Sequence, residues 1–184
     1  LTYELSASST SPEDELKYGL KLLELADRYK NIEYTIQANK RIGVAHRLRG
    51  NLGLALEFLF ESANLALANE EFVLFLANIY AEISTCYTQN EDSENALLYG
   101  QKTISILRKS DNKKSLALNL LNFGYDHYVI GAYDSAIAYY NESDLLFREK
   151  NMAIGQAYIL GNRALVFWKT GDIATAKRDL FSAI

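Results

Sequence analysis

The chain has 184 residues, 49% of them hydrophobic and 23% charged, with one proline, one cysteine and a net charge of −4. A single proline permits almost continuous helix, and a single cysteine excludes an internal disulfide and a cysteine-based zinc site. The acidic balance argues against a nucleic-acid interface, which needs a dense basic face.

No apolar run reaches the roughly 18 residues of a membrane span. No signal peptide is visible, and the chain starts at Leu1. A cytoplasmic location is expected, or a periplasmic one if an upstream signal peptide has been removed.

Residues 1–10 read as the last turns of a truncated helix. Ser11-Pro12-Glu13-Asp14 is a helix start, with Ser11 as N-cap, Pro12 in the first turn and acids beside the helix dipole. The helix to about Tyr29 places Leu16, Leu20, Leu23 and Ala26 on one stripe, and Lys30-Asn31 closes it. The next helix runs from about Glu33 to Leu48 with Ile36, Ile42 and Gly43 inward. After the turn Arg49-Gly50-Asn51 a second helix runs to about Ala68. A further pair begins near Glu71, turns at Gln89-Asn90-Glu91-Asp92 and ends near Lys109, with Asp92 or Ser93 capping its second helix. Lys113–Val129 and Gly131–Glu149 make the next pair. Met152–Lys169 opens the last, and its second helix starts at Ile173 and still runs at Ile184.

One grammar recurs through these pairs. Small residues stand at Gly43, Ser84, Gly124 and Ala164, at spacings of 41, 40 and 40. Each is followed by a ring three residues later (His46, Tyr87, His127, Phe167), then by a turn residue (Gly50, Glu91, Gly131, Gly171) and an alanine (Ala55, Ala96, Ala136, Ala176). A period near forty with helical patterning predicts stacked helix hairpins. The small residues and alanines mark where two helices touch, and the rings fill the gap between successive hairpins. The turn glycines are left-handed C-caps; in the second pair Glu91 or its neighbour Asn90 takes that place.

Charge is uneven. Between Arg49 and Lys102 there is no Lys or Arg, yet eight acids lie from Glu57 to Glu94. These are solvated helix faces, or an acidic band facing a basic partner.

The recurring residues resemble the tetratricopeptide (TPR) repeat, in a form with a period near forty and without the usual proline at the repeat end. Repeats of this length are similar to those of kinesin light chains, cortical spindle adaptors and bacterial sensory proteins. The resemblance implies an all-α fold, a right-handed superhelix of antiparallel helix hairpins (an α-solenoid). It covers 1–184 as a single array, with 1–31 a partial repeat, 32–71, 72–112 and 113–151 full repeats, and 152–184 a last, truncated one.

It also implies a concave groove lined by first helices that binds a peptide or protein segment. Asn122 and Asn162 match the place where an asparagine grips the ligand backbone; Arg41 and Glu82 hold that place elsewhere. Spacing adds Lys40 and Arg47 at the N-terminal end, and Tyr125, Tyr128, Tyr158 and Trp168 at the aromatic C-terminal end. Lys40 fits one place of the chaperone carboxylate clamp, but Val44 and Glu82 stand where that clamp has asparagine. Tyr125, Tyr158 and Trp168 are anchors for a ligand or, alternatively, packing between hairpins. Arg163 stands where the other pairs have Ile42, Ile83 and Phe123, so it should snorkel or pair with a carboxylate.

No catalytic constellation, cofactor motif or metal site is read. His46 and His127 serve as core rings and Cys86 as buried filler. The expected role is a non-catalytic scaffold without nucleic-acid or membrane contact. By the same resemblance it is the sensory or regulatory region of a larger bacterial signalling protein: a histidine kinase, a nucleotide cyclase or a transcription regulator. The alternative is a self-association module. Ala176, Leu180, Ala183 and Ile184 fall at helical spacing and would dimerise if uncovered.

Overall fold

A computed structural model describes residues 11–183; the reading of residues 1–10, and of Ile184, lies outside the described residues. Among the described residues there are nine α-helices, one short 3-10 turn at Glu70–Phe72, and no strand. The helices are α1 (Pro12–Tyr29), α2 (Ile32–Leu48), α3 (Leu52–Leu67), α4 (Val73–Gln89), α5 (Ser93–Leu107), α6 (Lys113–Val129), α7 (Tyr133–Glu149), α8 (Ala153–Thr170) and α9 (Ile173–Ser182).

Two compact units divide near residue 106. In the first, α1 packs on α2, α2 on α3 and α3 on α4, and α2 also touches α4. In the second, α6 packs on α7, α7 on α8 and α8 on α9, and α6 also touches α8. In each unit two first helices therefore lie side by side, with a second helix behind them.

Helix ends follow local chemistry. Ser11 Oγ accepts the Asp14 N–H at 3.1 Å, and Pro12 opens α1. Asn31 caps α2 through Tyr34 at 3.0 Å, and Asp92 rather than Ser93 caps α5 through Asn95 at 3.1 Å. Gly50, Gly131 and Gly171 take φ of +77°, +78° and +86°, the left-handed turn expected of them. In the second pair it is Glu91, at φ +59°, that turns left-handed, while Asn90 stays at −89°. The turn fixes that conformation by position, one residue beyond the C-cap, so the more tolerant Asn90 does not take it.

The small residues lie where helices meet. A Cβ on Gly43 would sit 2.7 Å from Leu59 Cγ and 3.1 Å from the Ala55 carbonyl oxygen. Ser84 uses the same closeness differently: its hydroxyl donates to the Ala96 carbonyl at 2.7 Å. Ala55, Ala96, Ala136 and Ala176 are all buried. One stripe is corrected. On α1, Leu20 is exposed and Gly19 buried instead, because α2 comes so close that a Cβ on Gly19 would meet Ile42 Cγ1 at 2.8 Å.

In three of the four pairs the ring that follows the small residue stacks within its own hairpin, on a ring twelve residues later on the second helix. His46 lies 5.8 Å from Phe58, Tyr87 5.8 Å from Tyr99, and His127 5.1 Å from Tyr139, with interplanar angles of 10°, 15° and 24°. A second column had no counterpart in the sequence reading. Ser62, Thr103 and Ser143 donate their hydroxyls to the carbonyls of Ile36, Ala77 and Ala117, each 26 residues earlier, at 2.7, 3.4 and 2.7 Å.

Cys86 is fully buried, and burial pushes its thiol up to about 12, so it is filler as expected. Burial lowers the His127 pKa from 6.5. The protonated form is thus disfavoured in the fold, and stability is full above about pH 6.5 and falls as pH drops from there through the lower folded value. Between about pH 7.5 and 5.5 the melting temperature should fall more in the wild type than in His127→Phe, which keeps a ring and removes the proton site. Equal slopes would mean that His127 binds its proton as readily in the folded chain as in the unfolded one.

Candidate functional site

The residues singled out by spacing fall into two sets, one on α2 and the other on α6 and α8. On α2, Lys40 is half-buried, whereas Arg47 is only 7% exposed. Arg47 Nε donates to Glu82 Oε2 on α4 at 3.1 Å, which joins the two first helices of that unit. Arg47 is therefore a bridging residue in the structure and not an open groove cation. A long cation can cover such a distance at either burial state, so spacing alone does not reveal the difference. Arg41, which shares a register with Glu82, pairs with Glu15 on α1 at 2.9 Å.

In the second unit α6 carries Asn122, Tyr125 and Tyr128, all half-buried. The Tyr125 and Tyr128 rings are 6.1 Å apart, and Tyr128 lies 5.9 Å from Tyr133. Behind them Tyr140 crosses α6 at Gly124, where a Cβ would lie 2.6 Å from Tyr140 Cε1. Burial, and then Tyr125, Asp126 and Tyr128, push the Tyr140 phenol far up, and its hydroxyl has no protein partner.

Helix α8 divides its surface by the 3.6-residue period. Gly155, Ile159, Asn162 and Val166 are buried on one stripe. Tyr158, Gly161, Leu165 and Trp168 form another, on which Tyr158 is 37%, Leu165 39% and Trp168 70% exposed. Nothing stands within 4 Å of the place a Cβ would take on Gly161, so the middle of this stripe is open. Asn162 lies behind the open stripe, 3% exposed, and its amide nitrogen has no protein partner. The carbonyl oxygen of Asn122 is likewise buried and without one. The structure thus places Tyr158 and Trp168 on one open face, with the half-buried α6 residues in the same unit.

Arg163 does pair with a carboxylate. Its Nη2 lies 3.1 Å from Asp179 Oδ2 on α9, and its Nη1 donates to Asn141 Oδ1 on α7 at 3.2 Å. Its guanidinium also lies 5.8 Å from the centre of the Phe167 ring. Asp179 holds the register at which Phe58, Tyr99 and Tyr139 stack in the other hairpins. Where the third hairpin has the Phe123–Tyr139 ring contact, the fourth therefore has an ion pair, at two positions together.

Among the described residues no group of three or more His, Cys, Asp or Glu side chains is placed to hold a metal, and no helix is long and apolar enough to cross a membrane.

No protein-family model matches the chain, and no curated protein matches it in sequence. Solved structures do resemble it. BtubC (BKLC) from P. vanneervenii superposes with a TM-score of 0.80 at 15% identity, over 95% of this chain and 73% of that one. Aspartyl phosphate phosphatase F from Bacillus subtilis gives 0.77 at 13%, over 94% of this chain and 49% of that one. The nearly identical TPR-like repeats of a protein assigned as a kinesin light chain in Podosopora anserina give 0.70 at 10%, over 96% and 95%. At these identities the likeness shows the fold: all-α, TPR-like hairpins of the α-solenoid class. The chain spans about half the length of the phosphatase structure.

Proposed function

We propose that the chain is a non-catalytic scaffold whose α6/α8 face binds an extended segment of another protein, within a larger bacterial signalling protein. The open stripe of Tyr158, Leu165 and Trp168 on α8 carries this reading. Exposed aromatic surface on a rigid helix gives contact area at low entropy cost. Asn122, half-buried on α6, is the asparagine offered to a peptide backbone, whereas the Asn162 amide lies buried behind the face. Likeness to a bacterial phosphatase structure favours the signalling context.

Trp168 is the only tryptophan, so its emission reports on the face directly. A phage-displayed library of random peptides panned on the chain should yield binders that shift that emission to the blue. Trp168→Ala should weaken them by about 2 kcal/mol, roughly thirtyfold, by calorimetry. Replacing Asn122 by Ala should weaken them further with little change in melting temperature. Binders indifferent to Trp168 would place binding elsewhere. The second reading, self-association, rests on the exposed Leu180 and Phe181 of α9. Light scattering at rising concentration separates the two.

A further inference from the structure

The two units differ at matching register positions. Arg47 and Trp168 hold the same place in the forty-residue period, as do Asn78 and Tyr158, and Glu82 and Asn162. In the first unit none of the matching positions is an exposed apolar residue. Arg47 is buried against Glu82, bridging α2 to α4. The neighbouring Thr85 and Thr88 hydroxyls donate to carbonyls of their own helix, Ala81 and Ser84, at 2.9 and 3.0 Å. In the second unit the same places open outward as Tyr158, Leu165 and Trp168, around the uncovered Gly161.

The open stripe is short and uncharged. From Tyr158 to Trp168 is ten helical steps, about 15 Å. An extended chain covers that in about five residues, at roughly 3.3 Å each. The cation on the adjoining flank, Arg163, is engaged by Asp179 and Asn141. Nothing on the stripe therefore calls for a charged side chain in the ligand, and its rings favour apolar and aromatic ones.

We infer that the partner segment is short, about five extended residues with apolar or aromatic side chains, and that it is read by the second unit alone. The first unit's face offers no exposed apolar anchor, and its Arg47 is engaged by Glu82. This rests on the α6/α8 reading above. That reading fails by itself if no selected peptide depends on Trp168.

The test uses the full chain and peptides selected from the random library. An arginine is placed at one register position in each unit, Asn78→Arg on α4 and Tyr158→Arg on α8. Both sites are exposed, and circular dichroism confirms folding. Tyr158→Arg is expected to weaken binding at least about tenfold, and Asn78→Arg to leave it within about twofold. Each selected peptide is then trimmed to its central five residues, and most of its affinity should survive. A tenfold loss in Asn78→Arg, or affinity that disappears on trimming, overturns the inference even where Trp168→Ala confirms the face. Dominance of acidic or basic residues among the selected peptides overturns its chemistry.

Discussion

Arg163→Ala should destabilise the second unit by about 3 kcal/mol in urea denaturation, more than any substitution on the open stripe of α8. The cause is what remains. Asp179 is 6% exposed in its side chain, and without the guanidinium its buried charge keeps only the more distant Arg178, whose Nε lies 3.8 Å from Oδ1. Breaking such a pair costs far more than the pair itself contributes, since desolvation is no longer offset. The same accounting makes the double replacement mild. Arg163→Phe with Asp179→Tyr restores the residues that the preceding hairpin carries at Phe123 and Tyr139, whose rings lie 4.7 Å apart. That variant should return to within about 1 kcal/mol of the wild type. A double variant as unstable as the single would show that the ion pair is not a substitute for the ring contact.

Gly124→Leu should cost about 3 kcal/mol, the upper end for overpacking, and Gly131→Ala about 1 kcal/mol. At Gly124 even a Cβ would lie 2.6 and 2.7 Å from two carbons of the Tyr140 ring and 3.3 Å from the Ala136 carbonyl oxygen. Tyr140 is fully buried, so the ring has nowhere to go, and α6 and α7 must separate. At Gly131 nothing stands within 4 Å, and the cost is the left-handed backbone alone. Chemical denaturation giving the reverse order would refute the roles assigned to the two glycines.

The close contacts were legible because sterics repeats. A helix crossing needs a small residue in every hairpin, so Gly43, Ser84, Gly124 and Ala164 stand out at a fixed spacing. The turn glycines were legible for the same reason. What faces the ring after each small residue was not. The partner column runs Phe58, Tyr99, Tyr139, Asp179, and no residue class unites it, so the replacement of a ring by a carboxylate is visible only when Arg163 is seen beside it. The hydroxyl column of Ser62, Thr103 and Ser143 was missed because serine and threonine inside a helix read as neutral filler. Among the candidate site residues, identity was informative and burial was not. Trp168 and Arg47 share a register, yet one is open and the other closed, and the choice depends on Glu82, 35 residues away.

The hydroxyl column has a consequence for how the fold would come apart. Each of its bonds, like the Ser84–Ala96 bond, joins neutral groups inside one hairpin: α2 to α3, α4 to α5, α6 to α7. Contacts between successive hairpins in the first unit include the charged pairs Arg41–Glu15 and Arg47–Glu82. Dissolved ions weaken the more exposed charged pairs and leave neutral bonds nearly untouched. In the first unit salt therefore acts on the seams rather than on the hairpins, and that unit would loosen first into intact helix pairs. The last pair differs, since the bond between α8 and α9 is itself ionic.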